Sequence, residues 1–116
     1  RITHDGLNLL SAPGNDLVAS TALAASGCQI VTFTTGRGTP FGTFVPTMKI
    51  STNNDLATRK SNWIDFNAGQ LLLGKDMKSV RDSFIDKVIA VASGEKARNE
   101  INGYSEIAIF KNGVTL

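Results

Sequence analysis

The residues best placed to do chemistry lie in Thr34-Thr35-Gly36-Arg37-Gly38-Thr39-Pro40-Phe41-Gly42, fed by the apolar run Ile30-Val31-Thr32-Phe33. A β-branched and aromatic strand running into a glycine-rich loop brings backbone N–H groups close to a ligand. Arg37 stands in the middle of that loop. Its planar guanidinium matches a carboxylate or a phosphate through two parallel hydrogen bonds. The stretch reads as an anion-binding loop at the end of a buried strand. Ordinary tight loops are also made of Gly, Thr and Pro, so composition alone leaves both readings open. No Gly-Lys-Ser/Thr closes the loop and no helix start follows its second glycine, which argues against a Walker loop or a dinucleotide fingerprint.

A second anion-friendly feature precedes it. Gly6-Leu7-Asn8-Leu9-Leu10 reads as a short strand, ended by Ser11-Ala12-Pro13-Gly14. Asn15 or Asp16 then caps a helix through Leu17–Ala25, nearly free of charge and expected to be well covered, with Gly27 as the left-handed residue past its end. Cys28 to Thr34 forms the next strand, with Cys28 as a small core residue. Strand, helix and strand in succession are the parts of a right-handed βαβ unit. Ligands in open α/β sheets bind outside the carboxyl ends of parallel strands. On that topology the helix start at Asn15 faces the same crevice as Arg37.

The elements that must support this rim follow in order. Pro40 and Pro46 keep the next segment extended, and Val45–Ser51 is a strand with Thr47, Lys49 and Ser51 on one face. Its direction stays open, because the link contains no helix. A mid-strand lysine faces water, a charge partner or a pocket, or guards a sheet edge. Asn53 or Asn54 caps a short helix through Leu56–Lys60, and Trp63–Asn67 alternates like a strand. Asp65 and Asn67 either line the pocket or bond their own backbone in a turn. Lys75–Ser93 is a cover helix, with Met77, Val80, Phe84, Val88 and Val91 at three- and four-residue steps and Ile85 and Ile89 widening the stripe. Residues 95–103 read as a polar surface wrap, 104–110 as a last strand or extended tail, and Lys111-Asn112-Gly113 as a turn. The fold class is α/β: a small, mainly parallel sheet with helices on both faces, a Rossmann-like three-layer arrangement.

Composition bounds the function. The chain has 116 residues, 41% hydrophobic and 19% charged, which suits one globular domain. A net charge of +2 without a basic stripe points away from nucleic acid. No apolar run reaches membrane-spanning length. The single cysteine cannot form an internal disulfide and fits a reducing, cytoplasmic compartment. His4 reads as a solvated side chain, and one His with one Cys makes no zinc set.

Longer stretches now carry a resemblance. Ala12–Asp16, Phe33–Gly42, Val45–Asn53, Trp63–Gly69 and Glu106–Leu116 are together similar to the carboxy-terminal region of the altronate/galactarate dehydratase family, and the ending is more similar to the altronate branch. The resemblance implies that residues 1–116 are the last domain of a longer enzyme ending at Leu116. It implies a hydro-lyase of sugar-acid (hexuronate) catabolism that removes water across C2 and C3, giving 2-keto-3-deoxygluconate from altronate. Galactarate dehydration, or a non-catalytic carboxylate-binding or subunit-contact module, are the alternatives. Partners would be the sugar acid, the rest of the polypeptide and, in an oligomer, further copies. It implies a divalent metal, iron(II) or manganese(II), with ligands mostly outside this fragment, which alone would be inactive. Expected substrate contacts are Asn15, Asp16, Thr35, Gly36, Arg37, Gly38, Thr39 and Asn53. Arg37 and Lys49 are the catalytic candidates, Lys49 as substrate binder ahead of general base.

Overall fold

A computed structural model describes residues 4–109. Helix α1 spans Asp16–Ala25, β1 Val31–Thr35, β2 Thr47–Ser51, α2 Asn54–Arg59 and β3 Phe66–Asn67. A 3₁₀ turn follows at Gly69–Leu73, then α3 at Met77–Ala92 and α4 at Arg98–Ile101. The three strands form one sheet in the order β1-β2-β3, and both pairs are parallel. The ladder sets Val31 against Thr47 through Thr35 against Ser51, and Ile50 against Phe66. The domain is therefore α/β with a small parallel sheet.

Local sequence explains most of these boundaries. The Asn15 side chain accepts the Leu17 N–H at 3.2 Å and starts α1. Gly27, at φ +110°, ends it: its N–H donates to Ala24 O, and that of Cys28 donates to Leu23 O. Asn53 and Asp76 cap α2 and α3 in the same way. The turn-forming reading of Asn67 holds, since its Oδ1 accepts the Gly69 N–H at 2.9 Å.

Several expectations change in three dimensions. Residues 7–13 form no strand. Leu7 and Leu9 are 94% and 93% exposed, because alternation makes a strand only where a sheet edge accepts it. The expected βαβ unit at the start of the chain is therefore absent, and β2-α2-β3 is the unit that forms. Cys28 lies in the turn after α1 rather than in a strand. Trp63 and Ile64 precede β3, and residues 104–109 run as a tail without regular structure. Phe110, the Lys111-Asn112-Gly113 turn and the rest of the ending lie outside the described residues.

Residues 95–103 do more than wrap the surface. Ala97 and Asn99 are buried, and Asn99 joins three segments. Its Oδ1 accepts the Thr47 N–H at 2.9 Å, and its amide donates to Thr43 O and Tyr104 O. One amide thereby satisfies backbone groups that would otherwise be buried unpaired.

The sheet is covered on both faces. Ile50 and Phe66 meet α3, with the Phe66 and Phe84 rings 5.2 Å apart edge to face. On the Lys49 face lies the segment joining β1 to β2, where Phe41 meets Phe33 edge to face at 5.6 Å, followed by α4 at Thr47. The apolar stripe of α3 is wider than this cover. Val80 and Val91 are buried, but Met77, Ile85 and Ile89 are exposed.

Gly42 is where the linking segment approaches α4 most closely. A Cβ there would lie 2.3 Å from Asn99 Cβ, while Gly14 has open space around it. Gly42→Ala is expected to cost about 1–3 kcal/mol of stability through overpacking. Gly14→Ala should be nearly neutral. Urea unfolding of the two variants checks this; equal midpoints would contradict the packing described.

Candidate functional site

Arg37 and Asn53 sit just past the carboxyl ends of β1 and β2, where parallel strands present their loops. Gly36, Arg37, Asn53, Leu56, Arg59 and Lys60 line a cleft of about 380 Å³. Thr35 Oγ1 accepts the Gly38 N–H at 2.9 Å and folds the loop back on itself. Gly38 takes φ +79°, and a Cβ there would come 2.7 Å from a Leu56 methyl carbon. Asn53 donates from Nδ2 to Gly36 O at 3.0 Å while its Oδ1 caps α2. The strand-end loop and the helix start are thus one hydrogen-bonded unit.

The three cations of the cleft differ. Arg59 pairs with Asp55 at 2.6 Å. The Lys60 ammonium donates to Arg37 O at 3.0 Å and lies 4.6 Å from the Trp63 ring centre. Arg37 is exposed and takes part in no ion pair among the described residues. Its guanidinium is the group left for an incoming anion.

Sequence reasoning had the loop amides facing a ligand, and much of that capacity is used internally. Gly38 donates to Thr35, Phe41 to Thr39, Gly42 to Glu106 and Thr43 to Thr47. The side chain of Arg37, rather than a cradle of loop N–H groups, carries the positive character.

Asn15 and Arg37 do not share a mouth. Gly14, Asn15, Asp16, Leu17, Thr39, Phe41 and Glu106 line a second, wider cavity of about 580 Å³. The reason is the missing first strand: without it, nothing sets the start of α1 beside β1's loop on one rim. Asp16 and Glu106 bring two carboxylates there, which opposes the attraction of a helix N-terminus for anions. Thr39 falls on this side, while Gly36 and Arg37 fall on the other.

Lys49 lines neither cavity. It is 0% exposed in the central strand, and its Nζ donates to Phe41 O at 2.6 Å and Pro40 O at 3.1 Å. The edge-guard alternative is excluded, and the ammonium holds the linking segment against the sheet. Burial pushes its pKa below the ordinary 10.5, opposed by the charges of Asp65 and Glu106. Asp65 accepts backbone N–H groups of Lys49 at 2.8 Å and Arg98 at 2.7 Å, so it ties β2 to α4 rather than making a local turn. Burial raises its carboxyl above 3.8, and those two N–H bonds and nearby lysines work against the rise.

Behind Asn53 the chain packs backbone on backbone. A Cβ on Gly69 would fall 2.4 Å from Asn53 Cα, so only glycine lets the 3₁₀ turn support the Asn53 loop. Asn67 adds a bond to the Asn54 side chain. The Trp63–Gly69 stretch therefore braces the site from behind. Leu56 and Lys60 were missed as cleft residues, though a signal existed. Counted from the cap at Asn53, positions 56 and 60 return to the same helical face. Glu106 had no comparable signal, since it arrives from a tail without period.

Among the described residues no group of three His, Cys, Asp or Glu side chains could hold a metal ion. The residues here do not by themselves fit a divalent cation. Also among the described residues, no helix is long and apolar enough to cross a membrane.

The fold and the rim are those of a small α/β domain with a parallel sheet and, among the described residues, an unpaired arginine at its carboxyl edge. The family described as D-galactarate/altronate dehydratase, C-terminal, matches residues 1–115, and the chain belongs to it. An altronate dehydratase of Escherichia coli is 58% identical over 116 residues, all of this chain and 23% of the relative. An altronate dehydratase of Bacillus subtilis is 63% identical over 113 residues, 96% of this chain and 22% of the relative. A galactarate dehydratase (L-threo-forming) of Escherichia coli is 35% identical over 114 residues, again 22% of its length. The chain thus spans less than a quarter of these relatives.

The two buried groups set opposite pH slopes. Between its lowered pKa and 10.5, native Lys49 is neutral while the unfolded side chain keeps its proton, so stability rises with pH there. Between 3.8 and its raised pKa, native Asp65 holds a proton that the unfolded carboxyl has released, so stability falls as pH rises. Urea unfolding of wild type against Lys49→Met should show the difference growing in favour of wild type as pH approaches 10.5. A flat difference across that range would show that the lysine is not desolvated as described.

Proposed function

We propose that this chain is the carboxy-terminal domain of a hydro-lyase that dehydrates a sugar acid, altronate, to 2-keto-3-deoxygluconate. One observation carries the assignment of a site: Arg37 is the cleft's cation without an ion-pair or hydrogen-bond partner for its guanidinium among the described residues. Altronate is preferred to galactarate because identity to the altronate dehydratases is 58% and 63%, against 35% to the galactarate enzyme.

The chemistry explains why such a cation is useful. The proton at C2 is weakly acidic, since its removal pushes a second negative charge toward the carboxylate. Fixed positive groups stabilise that charge, and a two-point clamp orients the C2–C3 bond for loss of water. Arg37 would grip the carboxylate, with Asn53 and Gly36 shaping the cleft around it. Thr35 and Gly38 hold the loop's shape, and Lys49 acts as a positioning residue. Iron(II) or manganese(II), if used, would draw its ligands from the rest of the polypeptide, and no step through a metal is assigned to this chain. Asn15, Asp16 and Thr39 would then contact substrate only where the rest of the polypeptide brings the two cavities together.

A second reading, a carboxylate-binding or subunit-contact module without catalytic groups, is favoured by the engagement of Lys49 Nζ with two carbonyls. Steady-state kinetics of the full-length enzyme separate the two. Losing a charge-assisted pair costs about 1.5–3 kcal/mol, so Arg37→Ala should raise KM for altronate roughly 10–100-fold. Arg37→Lys, a point charge without the fork, should fall between. Unchanged kcat and KM in Arg37→Ala would leave the module reading standing and remove Arg37 from substrate contact.

A further inference from the structure

The 3₁₀ turn and α3 carry more apolar surface than this domain covers. Leu72 and Leu73 are 77% and 73% exposed, Met77 is 64% exposed, and Ile85 and Ile89 are also open. Between α3 and β3 runs a groove of about 250 Å³ lined by Ile50, Phe66, Ala68, Met77, Val80 and Phe84, with Arg81 at its margin. Arg81 is bonded to Asp82 at 2.7 Å, so the margin is electrically balanced and the groove suits an apolar occupant. The helix shows the same surplus independently. Its apolar stripe, widened by Ile85 and Ile89, reads as a helix packed on a broad face, yet about half of each of those two residues stays open to solvent, at 46% and 56% exposure. Apolar patches of this kind on folded domains mark interaction surfaces.

We propose that this face, from Leu72 to Ile89 with the groove beside Met77, is the seat of the polypeptide that precedes the domain in the full-length enzyme. The inference rests on the reading of the chain as the carboxy-terminal part of a dehydratase. Two facts select this occupant. The matching family is the C-terminal one, and the chain spans only 23% and 22% of the altronate dehydratases it resembles, leaving most of each relative to pack against something. A continuous polypeptide also holds its neighbour at high effective concentration, which favours it over a second copy.

Hydroxyl-radical footprinting of the full-length enzyme, read by mass spectrometry, tests the seat without any substitution. Met48, 0% exposed, is the internal standard for a covered methionine. Met77 should show oxidation lowered to the rate of Met48, Leu72 and Leu73 should react well below the rate of an open leucine, and the protection should persist on dilution to a single chain. Met77 oxidised at the rate of an open methionine overturns the proposal. Protection that disappears on dilution also overturns it, since a second copy is then the cover. The readout is coverage and not activity, so an Arg37→Ala enzyme with unchanged kinetics would refute the substrate reading while leaving this result unaffected.

Discussion

Everything on the Lys49 face depends on one buried ammonium. Lysine is seldom placed in the centre of a sheet, because removing its charge from water is costly unless partners replace the water. Here the carbonyls of Phe41 and Pro40 do so, at 2.6 and 3.1 Å. That arrangement dictates the path of the link between β1 and β2, which crosses the sheet as extended chain where most parallel pairs use a helix. The link in turn gives Phe41 its edge contact with Phe33 and brings Gly42 against Asn99. Asp65 closes the arrangement by holding the Lys49 and Arg98 amides together.

The same crossing divides the loop's functions. Before it, Gly36 and Arg37 open into the cationic cleft; beyond it, Thr39 and Phe41 line the cavity that Asp16 and Glu106 make acidic. Two cavities of opposite character thus adjoin one short segment. In a domain this small, much of the hydrogen-bonding capacity of the loop is taken up in holding its shape. Among the described residues the Arg37 guanidinium is the loop group that the fold leaves without a partner.

Membership of the dehydratase family explains features that are odd in an isolated domain. The wide apolar stripe on α3 and the exposed leucines of the 3₁₀ turn fit a chain that spans less than a quarter of its relatives. The rim around Arg37 and Asn53 is held rigid from within. The backbone contact of Gly69 with Asn53 and the reciprocal bonding of Asn53 with Gly36 and α2 do this.

What the sequence determined by itself is local. The caps at Asn15 and Asn53, the glycine stop at Gly27, the strand into Gly36 and the long cover helix read over 75–93 follow from interactions within a few residues, so spacing reveals them. The juxtaposition of Arg37 with Asn53 needed the structure, since the direction of the Val45–Ser51 strand stays open in the sequence and only the β1–β2 ladder makes it parallel. Tertiary structure decided the rest. Leu7 and Leu9 alternate well, but no edge received them, and with the strand went the shared mouth of Asn15 and Arg37. Lys49 is buried only because Pro40 and Phe41 turn their carbonyls toward it, and Asn99 matters only because three distant segments meet at its amide. Partners separated by 52 and 56 positions leave no periodic trace. Hydrogen bonds of that kind are chosen by how the whole chain packs, which no window of neighbouring residues contains.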